Sequence, residues 1–229
     1  MIECNELVLG YHKALTQPFN LEVKDNQWLG IIGENGSGKS TFLKTLLGIM
    51  APITGQVKVW GSKAGIPNQL ISYIPQEREI NLMDNMSGLT LINSSYNGWH
   101  YGVPYLNPKL QRRTLELLNL VGASEYMLQP FNTLSGGQKK HIYLVQALIN
   151  QPKLLLLDEP LADLDPKAKQ NFIQALQEIR QQQEIGLLII SHDMHEIASH
   201  LDAFIHFKEA TVHYCCEMPC IKGDTYVGV

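Results

Sequence analysis

Eight residues, Gly33–Ser40, have the types and spacing of a phosphate-binding loop. Their sequence, GENGSGKS, satisfies the pattern G-x-x-x-x-G-K-[ST], which wraps the phosphates of a nucleotide. The apolar residues 28–32 precede the loop and predict a buried strand, and apolar residues recur at helical spacing from Phe42 to Leu47. A strand, a loop and a helix in this order distinguish a working phosphate-binding loop from a chance match.

The residue types in this loop predict how it would hold phosphate and metal. Gly36 and Gly38 can adopt backbone conformations closed to other residues, so that successive N–H groups turn towards an anion. The helix that begins near Gly38 adds its positive N-terminal end. Lys39 would place a charge between the β- and γ-phosphates, and Ser40 would offer a hydroxyl ligand to Mg²⁺. The alternative interpretation is a glycine-rich turn with a surface lysine. The residues that we expect to contact the nucleotide here are Gly33, Asn35, Gly36, Ser37, Gly38, Lys39, Ser40 and Thr41.

Two adjacent acids, Asp158 and Glu159, follow the four consecutive leucines 154–157. Such a run is typical of a strand buried on both faces in a central parallel sheet. Asp158 would then hold Mg²⁺, directly or through water. Glu159 would orient or deprotonate an attacking water. Two acids at a solvated strand end are the alternative interpretation.

A second glycine-containing loop, Leu134–Gln138 (LSGGQ), opens another predicted helix. A loop at a helix N-terminus is a second potential seat for phosphate. Ser135 would also serve as a simple N-cap, although the Gly136–Gly137 pair is more than a cap requires. We expect Ser135, Gly136, Gly137 and Gln138 to contact nucleotide. Because one nucleotide site normally needs only one such seat, the second predicts that two copies of the chain face each other.

Three isolated residues are further candidates for the site. Tyr11 would stack on an adenine ring, or it is an ordinary half-buried tyrosine at a strand end. Gln76 lies at the end of a predicted strand. Its carboxamide would reach a metal-bound water there and report whether the γ-phosphate is present. We therefore expect Gln76 to act both as a catalytic group and as a metal ligand. His192 follows the buried strand 187–190, where it would hydrogen-bond the γ-phosphate, although a lone histidine is more often structural.

Composition excludes several other classes of protein. The chain has 229 residues and a formal net charge of −4, which argues against a nucleic-acid partner. No run approaches the ~18 apolar residues of a membrane span, and no signal-peptide pattern is visible. We therefore expect a soluble, cytosolic protein with four reduced cysteines, held at any membrane by something else.

The remaining patterns predict an α/β fold. Alternating residues predict strands at 2–9, 21–23 and 57–59, and the stretch 203–214 resembles a hairpin. Leu115, Leu117, Leu118 and Val121 predict the apolar face of a helix over residues 110–121. The aromatic-rich segment between them and Gln76 has no periodicity, which indicates either a docking surface or a local helical patch.

With these motifs in place, the chain resembles the ATP-binding subunit of an ABC transporter over nearly its full length. The phosphate loop, the LSGGQ signature, the Leu154–Glu159 strand and His192 occur in the order typical of that family, and Tyr11, Gln76 and Asp165 fall at matching positions. The resemblance implies one domain over residues 1–229. That domain has a P-loop NTPase core with a mostly parallel central sheet, an N-terminal antiparallel β subdomain and a helical subdomain at about 77–150 that carries the signature.

The resemblance also implies a mechanism. Two copies would close head-to-tail around two ATP molecules, each lying between Lys39 of one copy and Ser135 and Gly137 of the other. Glu159 and His192 would organise water for attack on the γ-phosphate. One residue departs from the family, because many relatives carry arginine where His141 stands, and arginine always offers a planar cationic fork.

Cargo and partners follow from weaker features. The length, the segment 96–105 and the Cys215–Cys216 ending look like the ATPases of zinc and manganese importers, which implies integral membrane permease subunits and a position on the inner face of the cell membrane. The alternative is a soluble ATPase of this class that assembles cofactors such as iron–sulfur clusters. A further hypothesis is that metal is bound by His213, Cys215, Cys216 and Cys220. The spacing of these residues matches no recognised structural zinc pattern.

Overall fold

In the computed structural model of the protein, the described residues are 2–63, 70–76, 86–97, 108–192 and 194–215. Two sheets and a group of helices are formed by these residues. The strands are β1 (Ile2–Val8), β2 (Phe19–Val23), β3 (Trp28–Gly33), β4 (Thr54–Val59), β5 (Ser62–Lys63), β6 (Ile71–Ile74), β7 (Leu154–Asp158), β8 (Gly186–Ile190), β9 (Ala203–Lys208) and β10 (Thr211–Cys215). The α-helices are α1 (Lys39–Leu46), α2 (Gly88–Asn97), α3 (Pro108–Leu120), α4 (Gly136–Leu148), α5 (Pro166–Gln182) and α6 (Met194–Ile197).

The central sheet has six strands in the order β10-β9-β3-β8-β7-β6. All neighbouring strands are parallel except the β9–β10 hairpin, which confirms the predicted mostly parallel sheet and the hairpin at 203–214. Every residue of β7 and β8 is buried, because helices or a second sheet cover both faces. The carboxyl ends of β3, β6, β7 and β8 therefore open at one edge of the sheet.

The second sheet has the order β2-β1-β4-β5 and is antiparallel throughout, which confirms the predicted N-terminal β subdomain. Its buried side chains share one core with α1 and with one face of the central sheet. Phe42 of α1 lies at the middle of this core, with its ring centroid 6.4 Å from that of Phe19 and 6.0 Å from that of Phe207. Packing between the two sheets thus fixes the helix that begins at Lys39.

The helices α2 and α3 both pack on α4, which also contacts β6 and α5. The predicted helix over residues 110–121 is confirmed as α3, but the expectation for Leu115 was wrong. Its side chain is 47% exposed, since the buried stripe runs through Leu110, Thr114, Leu117 and Leu118 at spacings of three and four residues. The boundaries 77–150 for a helical subdomain stay a prediction.

Part of the aromatic-rich segment, residues 98–107, lies outside the described residues, as do Cys216 and Cys220. Among the described residues, no helix combines the length and the hydropathy needed to cross a bilayer. In the same residues, no cluster of three or more His, Cys, Asp or Glu side chains is arranged to hold a metal ion. The hypothesis of a metal site around His213 and Cys215 therefore receives no support from the part of the chain that is described.

Candidate functional site

The phosphate loop connects β3 to α1 through glycines in left-handed backbone conformations. Gly33 has a φ of 148°, and a Cβ atom there would lie 2.5 Å from the carbonyl oxygen of Phe207. Gly38 has a φ of 109° and forms the N-cap of α1, so that other residues would be strained there even though a Cβ atom would make only ordinary contacts, the nearest at 3.7 Å to Leu15. The Ser37 hydroxyl is buried and has no hydrogen-bond partner among the described residues. An unpaired hydroxyl and a helix N-terminus fit the phosphate of a nucleotide.

Lys39 lies inside this loop. Its Nζ donates hydrogen bonds to the carbonyl oxygens of Gly33 and Glu34, at 2.6 and 2.8 Å. Burial lowers the pKa of Lys39, and the nearby carboxylates of Glu159 and Asp158 oppose that shift. The ammonium group is thus held at the centre of the loop by carbonyl acceptors that a phosphate can replace.

The Asp158 carboxylate ends β7 and is only 4% exposed. The Ser40 hydroxyl donates to Oδ1 and the Tyr73 phenol donates to Oδ2, each at 3.2 Å. A hydroxyl beside a carboxylate oxygen is a donor set that suits Mg²⁺, which prefers oxygen ligands. Of the three predicted metal ligands, the structure brings Ser40 and Asp158 together. Gln76 is exposed in the bend that follows β6.

Glu159 has a strained backbone and a tightly held side chain. Its φ is 51°, in the left-handed region, and its N–H donates to the carbonyl oxygen of Ile190 at 2.9 Å. The His192 N–H donates to Oε2 at 3.0 Å, and His192 Nε2 lies 3.4 Å from Oε1. The Glu159 side chain is 6% exposed and that of His192 is 59% exposed. The structure therefore joins a buried carboxylate to an imidazole that solvent and ligands can reach.

The signature loop begins α4 with a reciprocal capping box. The Ser135 hydroxyl accepts from the Gln138 N–H at 3.3 Å, and Gln138 Oε1 accepts from the Ser135 N–H at 2.9 Å. Ser135 is thus an N-cap, as one interpretation predicted. Gly137 has a packing role as well, because a Cβ there would lie 2.9 Å from the Cβ of Ala168 in the first turn of α5. Asp165 caps that helix by accepting from the Ala168 N–H at 3.0 Å.

His141, near the start of α4, is held by two aromatic residues. Its Nδ1 lies 2.9 Å from the Tyr126 hydroxyl, and its ring stacks on Phe172 with centroids 6.1 Å apart. Burial lowers the pKa of His141 and raises that of Tyr126 to about 12, so that this hydrogen bond joins two neutral groups at pH 7. Near its start, α4 is therefore held to Tyr126 through a contact between two neutral groups.

Sequence reasoning missed two side-chain contacts in this region. Tyr73 reaches Asp158 only because β6 pairs with β7 in one particular register, which no local pattern specifies. Tyr126 contacts His141, which lies 15 residues later in the sequence, and no local pattern predicts that contact. Tyr11, by contrast, was a candidate, and its side chain is 63% exposed, so a base can approach its ring.

Comparison with known proteins agrees with this geometry. Residues 16–162 match the ABC transporter family. The chain is 30% identical over 205 residues to the zinc import ATP-binding protein ZnuC of Pseudomonas putida, covering 89% of this chain and 72% of that one. It is also 30% identical over 201 residues to the energy-coupling factor transporter ATP-binding protein EcfA2 of Caldanaerobacter subterraneus, covering 85% and 69%. The manganese transport ATP-binding protein MntA of Synechocystis is 33% identical over 174 residues, covering 75% and 66%.

Solved structures show the same fold. The structure of cbiO1 from Clostridium perfringens, part of the ABC transporter complex cbiONQ, matches with a TM-score of 0.84 at 24% identity over 97% of this chain and 90% of that one. An ATP-binding cassette solved as a dimer in a post-hydrolysis state, with ADP and phosphate bound, matches with a TM-score of 0.76 at 22% identity over 93% and 97%. The chain belongs to the ABC transporter family and is an ATPase of that family.

We predict that His141 makes the stability of the fold depend on pH. The unfolded imidazole takes up a proton near pH 6.5, whereas the buried one does so only at lower pH, so the free energy of unfolding should fall as the pH drops below about 6.5, by up to about 1.4 kcal/mol per pH unit. Urea unfolding at pH 7.5 and pH 5.5 measures this loss. His141→Gln should reduce it, and His213→Gln, at an exposed position, is the control. Equal losses in wild type and His141→Gln would contradict the prediction.

Proposed function

We propose that this ABC transporter ATPase works as a head-to-tail pair, with each ATP bound between the Lys39 loop of one copy and the Ser135–Gly137 loop of the other. The observation that carries the proposal is that one chain has two glycine-containing loops at helix N-termini, and that the two loops make separate sets of contacts. Lys39 and Ser40 bond to their own loop and to Asp158. Ser135 and Gly137 instead line a cavity of about 500 Å³ together with residues of α3 and α5.

The nucleotide and its metal would be held by groups from several elements. The phosphates would lie on the N–H groups of the loop and on Lys39, with the base against Tyr11. Ser40 and Asp158 would hold one Mg²⁺ ion, and Gln76 would complete the set through its carboxamide. When bound, Mg²⁺ neutralises charge on the β- and γ-phosphates.

Hydrolysis would be organised by Glu159 and His192. Glu159 accepts the proton of the attacking water or orients that water, since its carboxylate is buried, accepts from the His192 N–H at Oε2 and has the His192 imidazole near Oε1. The His192 side chain is 59% exposed, so a ring N–H of its imidazole would be able to hydrogen-bond the γ-phosphate. The strained backbone of Glu159 supports a catalytic role, because such conformations cluster at active sites.

The substitution Glu159→Gln tests this mechanism. It keeps the shape of the side chain but removes the base, so we expect ATP hydrolysis to fall by roughly 10²–10⁴-fold while ATP affinity is kept. The ATP-bound variant should then accumulate as a dimer, measured by size exclusion with light scattering. Glu125→Gln, at an exposed position, is the matched control. Hydrolysis at the wild-type rate, or a variant that stays monomeric with ATP, would refute the mechanism.

The cargo that we propose is a metal ion, zinc or manganese, or a metal chelate. ZnuC and MntA support this assignment by name, although EcfA2, at similar identity, belongs to an energy-coupling factor transporter. Import would require separate membrane permease subunits, with this chain bound to them on the cytoplasmic face of the membrane. The alternative function is a soluble ATPase that assembles cofactors without any membrane partner.

Uptake measurements separate the two functions. In cells whose own copy is replaced by Lys39→Ala, the initial rate of ⁶⁵Zn or ⁵⁴Mn uptake should fall several-fold, because the loop loses its central charge. Lys44→Ala, in the last turn of the same helix, is the control. Unchanged uptake of both metals, in cells where Lys39→Ala has abolished the ATPase activity, would contradict the proposed cargo.

A further inference from the structure

The Asp158 carboxylate is held by two elements that approach it from different sides. Ser40, on α1, donates to Oδ1, and Tyr73, on β6, donates to Oδ2. The hydroxyl of Ser40 is one of the groups expected to bind the metal. Tyr73 has no such role in the site described above, yet it occupies one oxygen of the aspartate that the metal would share.

Strand register explains how Tyr73 reaches this position. β6 and β7 are parallel, and Tyr73 is paired with Leu156, two residues before Asp158. Residues two apart lie on the same face of a strand, about 6.6 Å along it. A tyrosine side chain is long enough to cover that distance and to present its hydroxyl to the carboxylate, whereas Ile71, the other residue of β6 on the same face, carries no donor.

We propose that Tyr73 is a positioning residue for the magnesium site. By holding Oδ2, it fixes the plane of the Asp158 carboxylate and leaves Oδ1 and the Ser40 hydroxyl as the pair that faces the ion. This inference rests on the proposed Mg²⁺ site of the ATPase. It deepens that site by assigning different roles to the two carboxylate oxygens.

The burial of Asp158 supports this assignment. The residue is 4% exposed, so solvent has little access to it, and the Tyr73 hydroxyl is the donor that the structure shows at Oδ2. A phenol that donates to a carboxylate makes a charge-assisted hydrogen bond, which is stronger than one between neutral groups. Groups that orient a metal ligand in this way typically contribute 10–100-fold to metal affinity. Tyr73 is also three residues before Gln76, so one strand brings both residues to the same end of the sheet.

The test is the substitution Tyr73→Phe, which removes only the hydroxyl. Mn²⁺ affinity is measured by electron paramagnetic resonance with saturating ADP, and ADP affinity is measured separately by calorimetry in EDTA. We expect Mn²⁺ to bind roughly tenfold more weakly to Tyr73→Phe, with metal-free ADP affinity and thermal stability unchanged. Tyr214→Phe is the matched control. It removes a phenolic hydroxyl that makes another 3.2 Å hydrogen bond, to the Gln27 side chain, at the far edge of the sheet.

Three results would overturn the proposal, and they differ from one another. Equal Mn²⁺ affinity in wild type and Tyr73→Phe would show that the hydroxyl does not position Asp158. A parallel loss of metal-free ADP binding and thermal stability in Tyr73→Phe would indicate a merely structural hydroxyl. A wild-type protein that binds ADP but takes up no Mn²⁺ with it would remove the proposed metal site itself, and the role of Tyr73 with it.

Discussion

Two adjacent carboxylates buried at the end of one strand are the constraint on which the rest of the site depends. Asp158 and Glu159 are 4% and 5% exposed, and an isolated buried carboxylate is costly unless it is paired or hydrogen-bonded. Each acid has its own partners, with Ser40 and Tyr73 on the first and His192 on the second. The Lys39 ammonium lies close to both carboxylates, and their negative charges oppose the lowering of the Lys39 pKa by burial.

The parallel sheet makes these partnerships possible. The phosphate loop, the two acids and His192 follow β3, β7 and β8, which are neighbours in space although far apart in sequence. Because parallel strands end at the same edge, groups from these three segments meet there without any long excursion of the chain. The signature loop is different, since it begins a helix that packs on α5 through the close approach of Gly137 and Ala168.

Much of this arrangement could be predicted from the sequence, because its strongest patterns are local. Four leucines before two acids specify a buried strand and its polar end, and the glycines of the phosphate loop specify left-handed backbone. Contacts that depend on strand register or on packing were not predictable. Tyr73 meets Asp158 through the pairing of β6 with β7, and Leu115 faces solvent because α3 presents a different stripe to its neighbours. Neither the local patterns nor the contacts between elements identify the transported cargo.

The central claim is that hydrolysis requires two copies, each completing the other's site. In a mixture of Lys39→Ala and Ser135→Arg proteins, neither active alone, each mixed pair would contain one site with both defects and one with neither. Two-colour energy transfer verifies that mixed pairs form. Half of the pairs are then mixed, and half of the sites in each mixed pair are intact. The claim therefore predicts that ATP turnover returns to roughly a quarter of the wild-type rate per chain. A mixture that forms such pairs and hydrolyses no more ATP than the two variants measured separately would contradict it.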